Sequence, residues 1–128
     1  MFEIKFKVRD YECDAQGVVN NANYLHYLEY TRHEFLESLG VTFQQLYKER
    51  VAPMVARIDI RYKISLTGGD RIISRLNLKR VGAKYVFSQE LFRESDNKCC
   101  CQATVEVIIM QDGKLTRGDY FDDMLKNY

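Results

Sequence analysis

Apolar and polar residues alternate at the beginning of the chain and throughout its second half. Residues 2–9 carry apolar side chains on one face and charged side chains on the other, which predicts a half-buried strand. The same period of two returns after Pro53 and continues to about residue 110. Turn-forming residues divide this second region into four predicted strands, at 54–64, 71–81, 85–93 and 99–110.

Between these regions the apolar residues follow the spacing of a helix. Gly40 stands where a left-handed residue commonly ends a helix, so we predict a helix from Ala22 or Asn23 to Leu39. Residues 43–49 form either a short second helix or a lid-like excursion that ends at Pro53. The apolar residues with helical spacing are Leu25, Leu28, Phe35, Leu36 and Leu39.

The order of elements, a strand, a long helix and four more strands, predicts an α+β fold. A long helix with a wide apolar stripe has to be covered, and a sheet curved around it provides that cover. Such a sheet has open edges, and open edges pair readily with another copy of the same chain. We therefore expect a homodimer or a homotetramer.

Length and charge narrow the function further. The chain has 128 residues, which suits a single domain over 1–128. Nineteen basic and 18 acidic residues give a net charge of +1, so we expect neither nucleic acid nor a membrane as a partner. No apolar run has the length of a membrane span, and the N-terminus lacks the apolar core of a signal peptide. We expect a cytoplasmic location.

The cysteines and histidines do not predict a metal site. The cysteines are Cys13 and the run 99–101, whose successive side chains alternate across a strand, so we expect reduced thiols. His26 and His33 lie seven residues apart on the predicted helix, about 10 Å, which is too far for one metal ion. We expect no metal and no cofactor.

One carboxylate, Asp14, stands a few residues before the start of the long helix. Unpaired backbone N–H groups at a helix start can hold an oxyanion, and a carboxylate beside them can serve the cleavage of an ester or a thioester. The alternative is structural, because Asp and Asn before a helix commonly act as caps or close turns. The residues alone leave both interpretations open.

The segment 11–19, followed by Ala22-Asn23-Tyr24, resembles the signature of the 4-hydroxybenzoyl-CoA thioesterase-like family of acyl-CoA thioesterases. The likeness continues through 27–32, where Glu29 and Arg32 are three residues apart, and through 51–70, where a long strand leads to Asp70. The resemblance implies the hotdog fold, in which one long helix is wrapped by a five-stranded antiparallel sheet. It also implies hydrolysis of an acyl-CoA thioester to a carboxylic acid and free CoA.

The resemblance implies roles for three residues. Asp14 matches the catalytic aspartate, as nucleophile or as general base, and Asn21 matches the residue whose backbone N–H binds the thioester oxygen. Gly17 matches the glycine that lets the loop bend towards the substrate. The sequence departs from the family pattern at Glu12, where an aspartate is frequent, and at Asn21, where many bacterial members have a histidine. Residue 66 is not the proline expected there.

Further residues are candidates for binding the substrate. Val19, Tyr24, Met54 and Tyr47 could line an acyl pocket, although each could equally serve the core. Basic residues could bind the phosphates of CoA, although an exposed charge on a strand is the simpler interpretation for each. These basic residues are Arg57, Arg61, Lys63, Arg80 and Lys84.

Three other functions fit parts of the pattern. An acyl-carrier-protein thioesterase would use the same site and meet an acidic carrier through basic residues. A non-catalytic acyl-CoA-binding module would keep the pocket without the carboxylate, so Asp14 argues against it. Hydration of an enoyl thioester generally uses an aspartate with a histidine, and neither His26 nor His33 is next to Asp14 in the chain.

Overall fold

A computed structural model describes residues 1–126. It contains three α-helices, six β-strands and two single 3-10 turns, at Asp10–Glu12 and Asp119–Phe121. The helices are α1 (Asn21–Ser38), α2 (Phe43–Lys48) and α3 (Asp122–Leu125). The strands are β1 (Phe2–Lys7), β2 (Val51–Tyr62), β3 (Arg71–Val81), β4 (Lys84–Arg93), β5 (Lys98–Gln111) and β6 (Lys114–Leu115).

All strands belong to one antiparallel sheet. Its five long strands lie in the order β1-β3-β4-β5-β2, and the two-residue β6 pairs with β5. The predicted α+β architecture of one long helix and five antiparallel strands is therefore confirmed. The sequence missed β6, which follows the predicted turn at Asp112 and Gly113, where φ is 51° and 77°. Two successive positive φ angles are typical of a tight hairpin turn.

Helix α1 provides the centre of the core. Its buried face consists of Tyr24, Tyr27, Leu28, Thr31, Arg32 and Phe35. Edge-to-face contacts join this face to β1 and β4, with ring centroids 5.4 Å apart for Phe2 and Phe35 and 6.3 Å apart for Phe35 and Phe87. The prediction that Leu25 belongs to the apolar stripe is wrong, because its side chain is on the exposed side of the helix.

Polar groups inside the core are satisfied locally. Thr31 Oγ1 donates to the carbonyl of Tyr27 at 2.8 Å and lies 2.6 Å from Ser74 Oγ. Arg32 donates to Gln89 Oε1 at 3.1 Å, and Gln89 donates in turn to the carbonyl of Leu28 at 3.0 Å. These contacts fix α1 against β3 and β4, so they also fix the position of the helix start.

Strand β2 lies at an edge of the sheet, where β5 is its only partner strand among residues 1–126. A register shift between Val55 and Arg57 breaks the alternation that the sequence predicts for 54–64. Apolar side chains on β2 are consequently open to solvent, with Met54 51% and Ile58 38% exposed. Helix α1 packs mainly on β3 and β1, and on β2 it meets the ring of Tyr62 through Tyr24, with ring centroids 5.2 Å apart. Among the described residues, no helix is long and apolar enough to cross a membrane.

The Tyr24→Phe substitution tests how α1 is tied to the segment after β2. The buried N–H of Leu66 donates to Tyr24 Oη at 2.9 Å, and the substitution leaves this N–H without its acceptor. We expect a loss of about 1–3 kcal/mol in the free energy of unfolding, measured by urea denaturation. Tyr47→Phe is the control, because Tyr47 is 87% exposed, and it should change stability little. Equal stability of the two variants would contradict this account.

Candidate active site

A tight turn before α1 carries Asp14. The N–H of Asp14 donates to the carbonyl of Val18 at 2.9 Å, and the N–H of Gly17 donates to the carbonyl of Asp14 at 3.0 Å. Gly17 has φ of +80°, a left-handed conformation that is strained for other residues. The resemblance implies that Gly17 lets this loop bend, and in the structure Gly17 occupies the left-handed position of the turn.

The two oxygens of the Asp14 carboxylate have different surroundings. Oδ1 accepts hydrogen bonds from the N–H groups of Gln16 at 2.8 Å and Val18 at 3.4 Å. Within the described part of the chain, no donor is recorded for Oδ2. Asp14 therefore closes the turn with one oxygen, as the structural interpretation expected, and keeps the other available for chemistry.

Backbone hydrogen bonds dock this turn on the segment that follows β2. Cys13 and Val19 form an isolated antiparallel bridge, and Val18 forms another with Thr67. The N–H of Val19 donates to the carbonyl of Leu66 at 2.8 Å. Val19 and Leu66 are both buried, so solvent does not compete for these contacts. The carboxylate thus sits on a turn that is fixed at both ends.

The first turn of α1 leaves one N–H group open. Asn20 is the N-cap, and its Oδ1 accepts from the N–H of Ala22 at 3.0 Å. The carbonyl of Asn20 accepts from the N–H of Asn23 at 2.9 Å. In residues 1–126, the N–H of Asn21 has no recorded acceptor. The resemblance implies that the N–H of Asn21 binds the thioester oxygen, and the cap leaves this N–H open while it engages that of Ala22.

Glu12 anchors the other side of the helix start. Its Oε1 accepts from the N–H of Arg9 at 2.8 Å and from the hydroxyl of Tyr27 at 3.0 Å. The carbonyl of Glu12 accepts from Asn23 Nδ2 at 2.7 Å. Burial and the adjacent Glu12 carboxylate raise the pKa of Tyr27 well above its usual value, so its hydroxyl remains a donor. The glutamate at this position therefore holds the loop to α1.

The turn, the helix start and the end of β2 enclose a cleft of about 250 Å³. The predicted residues Asp14, Val19, Asn21 and Tyr24 all line it. Most residues of the opposite wall were not predicted from the sequence. One of them is Tyr62, whose hydroxyl is 3.4 Å from the carbonyl of Asn21. The remaining lining residues are Val18, Asn20, Lys63, Ile64 and Ser65.

Four further predicted binding residues lie outside this cleft. Met54, Arg57 and Arg61 on β2 and Tyr47 on α2 are exposed, and the structure of one chain does not bring them to Asp14. Arg61 instead borders a polar depression on the sheet.

Two other basic candidates are engaged elsewhere, while a third reaches the cleft. Arg80 pairs with Asp122 and Asp119 of the C-terminal segment, and Lys84 pairs with Glu106 at 2.7 Å. Their suggested role as phosphate partners is therefore not supported. Lys63 lines the cleft itself. Among residues 1–126, no group of three or more His, Cys, Asp and Glu side chains is placed to hold a metal ion.

The thiols near the cleft are poor nucleophiles in this arrangement. All four cysteines are unpaired. Partial burial, together with the carboxylates of Asp10 and Asp14, raises the pKa of the Cys13 thiol. Burial raises the pKa of Cys101 to about 12. Thiols of this kind remain protonated at neutral pH, so Asp14 is the candidate for the reactive group.

The site therefore presents a carboxylate and an open helix N–H on one small polar cleft, within a curved antiparallel sheet around a long helix. The thioesterase-like superfamily matches residues 8–127, and the chain belongs to this family. The family and the hotdog fold are those that the sequence predicted.

Individual relatives show how far the likeness extends. The acyl-CoA thioesterase YbgC of Haemophilus influenzae is 35% identical over 114 residues, which cover 86% of this chain and 82% of that protein. The chloroplastic acyl-acyl carrier protein thioesterase ATL3 of Arabidopsis thaliana is 34% identical over 85 residues, 66% of this chain. The match spans only 45% of that plant protein's length. A crystal structure of a hypothetical protein from Aquifex aeolicus superimposes with a TM-score of 0.90 at 27% identity, covering 98% of this chain and 100% of the other.

The Asn20→Ala substitution tests the cap at the helix start. It removes the acceptor of the Ala22 N–H, so we expect a loss of about 1 kcal/mol in the free energy of unfolding. Asn20→Ser retains a capping oxygen and should recover most of that loss. Thermal denaturation of the three proteins measures the effect, and an Asn20→Ala protein as stable as the parent would contradict the assigned cap.

Proposed function

We propose that this protein hydrolyses acyl-CoA thioesters to a carboxylic acid and free CoA. One observation carries the proposal: the Asp14 carboxylate and the unpaired N–H of Asn21 lie on the same cleft. Family membership supports it, since the relatives reported above are named thioesterases or hold the same fold.

The cleft offers a direct route for the reaction. The thioester oxygen accepts the N–H of Asn21, where the partial positive charge of the helix start stabilises the charge that develops on it. Oδ2 of Asp14 attacks the carbonyl carbon, or removes a proton from a water molecule that attacks it. The carbon–sulfur bond then breaks. In the general-base route CoA leaves as a thiol, with the proton that Asp14 took from the water molecule; in the nucleophilic route it leaves as a thiolate that takes a proton from solvent. In the first route, water subsequently cleaves the Asp14 anhydride.

Carrier-protein thioesters are the alternative substrates. The similarity to an Arabidopsis acyl-acyl carrier protein thioesterase favours this alternative, although the match spans less than half of that protein. Hydrolysis of matched CoA and carrier-protein thioesters distinguishes the two.

Arg57 and Arg61 stay candidates for binding the phosphates of CoA because both are exposed, and neither has an ion pair recorded in residues 1–126.

We also propose that β2 forms the interface of a homodimer, which could assemble further into a tetramer. The outer edge of β2 is twelve residues long and exposes Met54, Val55, Ile58 and Tyr62. The opposite edge, β1, has six residues, and Glu3, Lys5 and Lys7 alternate along it. Short, charged edges resist pairing and long apolar edges favour it, so β2 is the edge that meets a second copy.

The Asp14→Asn substitution tests the catalytic assignment. It keeps the acceptor for the N–H of Gln16 while removing the charge and the basicity, so the fold should persist. We expect kcat for acyl-CoA hydrolysis to fall by at least about a hundredfold, measured by trapping the released thiol.

Asp10→Asn is the matched control in the same loop, because Asp10 does not line the cleft. It should leave turnover within a few-fold of the parent. Turnover of Asp14→Asn at the parent rate would remove Asp14 from the mechanism. Tight acyl-CoA binding by the parent protein without thiol release would instead indicate the non-catalytic binding module.

The Ile58→Lys substitution tests the proposed interface. A lysine on the exposed part of β2 discourages strand pairing, so light scattering at micromolar concentration should show a shift from dimer to monomer. Val81→Lys is the control, because Val81 is 51% exposed at the turn between β3 and β4, away from β2. A monomeric parent protein, or a dimer unaffected by Ile58→Lys, would contradict the proposed interface.

A further inference from the structure

The hydroxyl of Tyr62 reaches the start of α1, close to the open N–H group of Asn21. It lies 3.4 Å from the carbonyl oxygen of Asn21, and Tyr62 lines the same cleft as Asp14. The nitrogen and the carbonyl oxygen of one residue are about 3.5 Å apart in a helix. The hydroxyl oxygen of Tyr62 is therefore at most about 7 Å from the nitrogen of Asn21.

This hydroxyl is not committed to the contact that it makes in the free protein. At 3.4 Å, its hydrogen bond to Asn21 is longer than the roughly 2.5–3.0 Å typical of a hydroxyl donor. The helix gives the same carbonyl another donor, the N–H of Leu25, so the carbonyl does not depend on Tyr62. Across residues 1–126, no other hydrogen bond is recorded for the Tyr62 hydroxyl. Its O–H group is consequently free to turn towards a ligand.

The ring of Tyr62 is fixed, although its hydroxyl is only weakly bonded. It packs edge-to-face on the ring of Tyr24, with centroids 5.2 Å apart and an interplanar angle of 83°. Tyr24 is itself buried, and its hydroxyl accepts from the N–H of Leu66 at 2.9 Å. The backbone directly after Tyr62 is tied to β5, because the N–H of Lys63 donates to the carbonyl of Cys100 at 2.8 Å. A donor held in this way is preorganised, as stabilisation of a developing charge requires.

Two other side chains with hydrogen-bond donors lack this support. Lys63 and Ser65 also line the cleft, and both are exposed. In the described part of the chain, no hydrogen bond or ion pair is recorded for either side chain. A mobile side chain loses conformational entropy when it binds a ligand, so Tyr62 is the better placed donor.

We propose that the Tyr62 hydroxyl donates a second hydrogen bond to the thioester oxygen, beside the N–H of Asn21. One oxygen that accepts from two donors at about 2.9 Å holds them up to about 6 Å apart, so a closure of about 1 Å at most brings both onto it. The hydroxyl keeps its proton, and both donors stabilise the charge that develops on the oxygen during the attack. This inference rests on the proposed thioesterase function and adds a residue to its site.

The Tyr62→Phe substitution removes the hydroxyl and keeps the ring that packs on Tyr24. We expect kcat/KM for acyl-CoA hydrolysis to fall at least about tenfold, measured by trapping the released thiol. The midpoint of thermal denaturation should stay close to that of the parent, because the hydrogen bond that is lost is long and lies at the surface. Tyr11→Phe is the matched control and should keep the parent kcat/KM, since Tyr11 is 78% exposed and does not line the cleft.

Infrared spectroscopy distinguishes a hydroxyl that touches the substrate from one that only shapes the site. The probe is an acyl-CoA ketone analogue with a methylene in place of the sulfur and a ¹³C-labelled carbonyl. A hydrogen-bond donor polarises the carbonyl that it binds and lowers its stretching frequency. We expect the labelled band of the Tyr62→Phe complex at a higher frequency than that of the parent complex, and the Tyr11→Phe band at the parent frequency.

The outcomes separate the two proposals. A parent protein that hydrolyses no acyl-CoA overturns the proposed function and this inference with it. An active parent whose Tyr62→Phe variant keeps kcat/KM within about tenfold overturns the role of Tyr62 alone. A larger fall in kcat/KM with an unmoved carbonyl band overturns it as well, because the hydroxyl would then act on the structure of the site. A fall in kcat/KM together with the higher band supports the assigned hydrogen bond.

Discussion

The hydrogen bond between the N–H of Val19 and the carbonyl of Leu66 joins the two parts of the molecule that make the cleft. It docks the turn that carries Asp14 on the segment that leaves β2. The bond from Leu66 N–H to Tyr24 Oη ties the same segment to α1. These two contacts set the helix start, the carboxylate and the opposite wall relative to one another, so the chemistry of the site depends on them.

The N–H groups at the start of α1 serve two purposes. The cap satisfies some of them and so stabilises the helix, while another stays available to bind the substrate. Asn20 uses its side chain and its carbonyl to satisfy Ala22 and Asn23. The N–H of Asn21 is what remains for a ligand. A cap that satisfied every N–H group would stabilise the helix equally well but would leave no oxyanion donor. The proposed function therefore uses a position where the cap is incomplete.

Local sequence patterns predicted the fold well because periodicity reports which face of an element is buried. The bounds of α1 differ from those predicted by one or two residues, and four of the five long strands follow the expected alternation. Strand β2 departs from it, because a bulge and an uncovered edge depend on tertiary context that a short window does not contain. Asp14, Val19, Asn21 and Tyr24, which all line the cleft, could be proposed from the sequence because they lie in one short segment that resembles the family signature. Tyr62 and Ser65 were missed because only the docking of the loop brings them to the cleft. The ion pairs of Arg80 were not predicted for a similar reason, since its partners lie in the C-terminal segment.

The central claim is that the N–H of Asn21 receives the oxygen of the substrate. Amide chemical shifts test it directly, in ¹⁵N-labelled protein titrated with a non-hydrolysable acyl-CoA analogue that keeps the carbonyl. We expect the Asn21 amide proton to move strongly downfield, while that of Ala22, which is already bonded to Asn20, moves much less. Saturating binding with an unmoved Asn21 signal, or with the large shift at Ala22 instead, would contradict it.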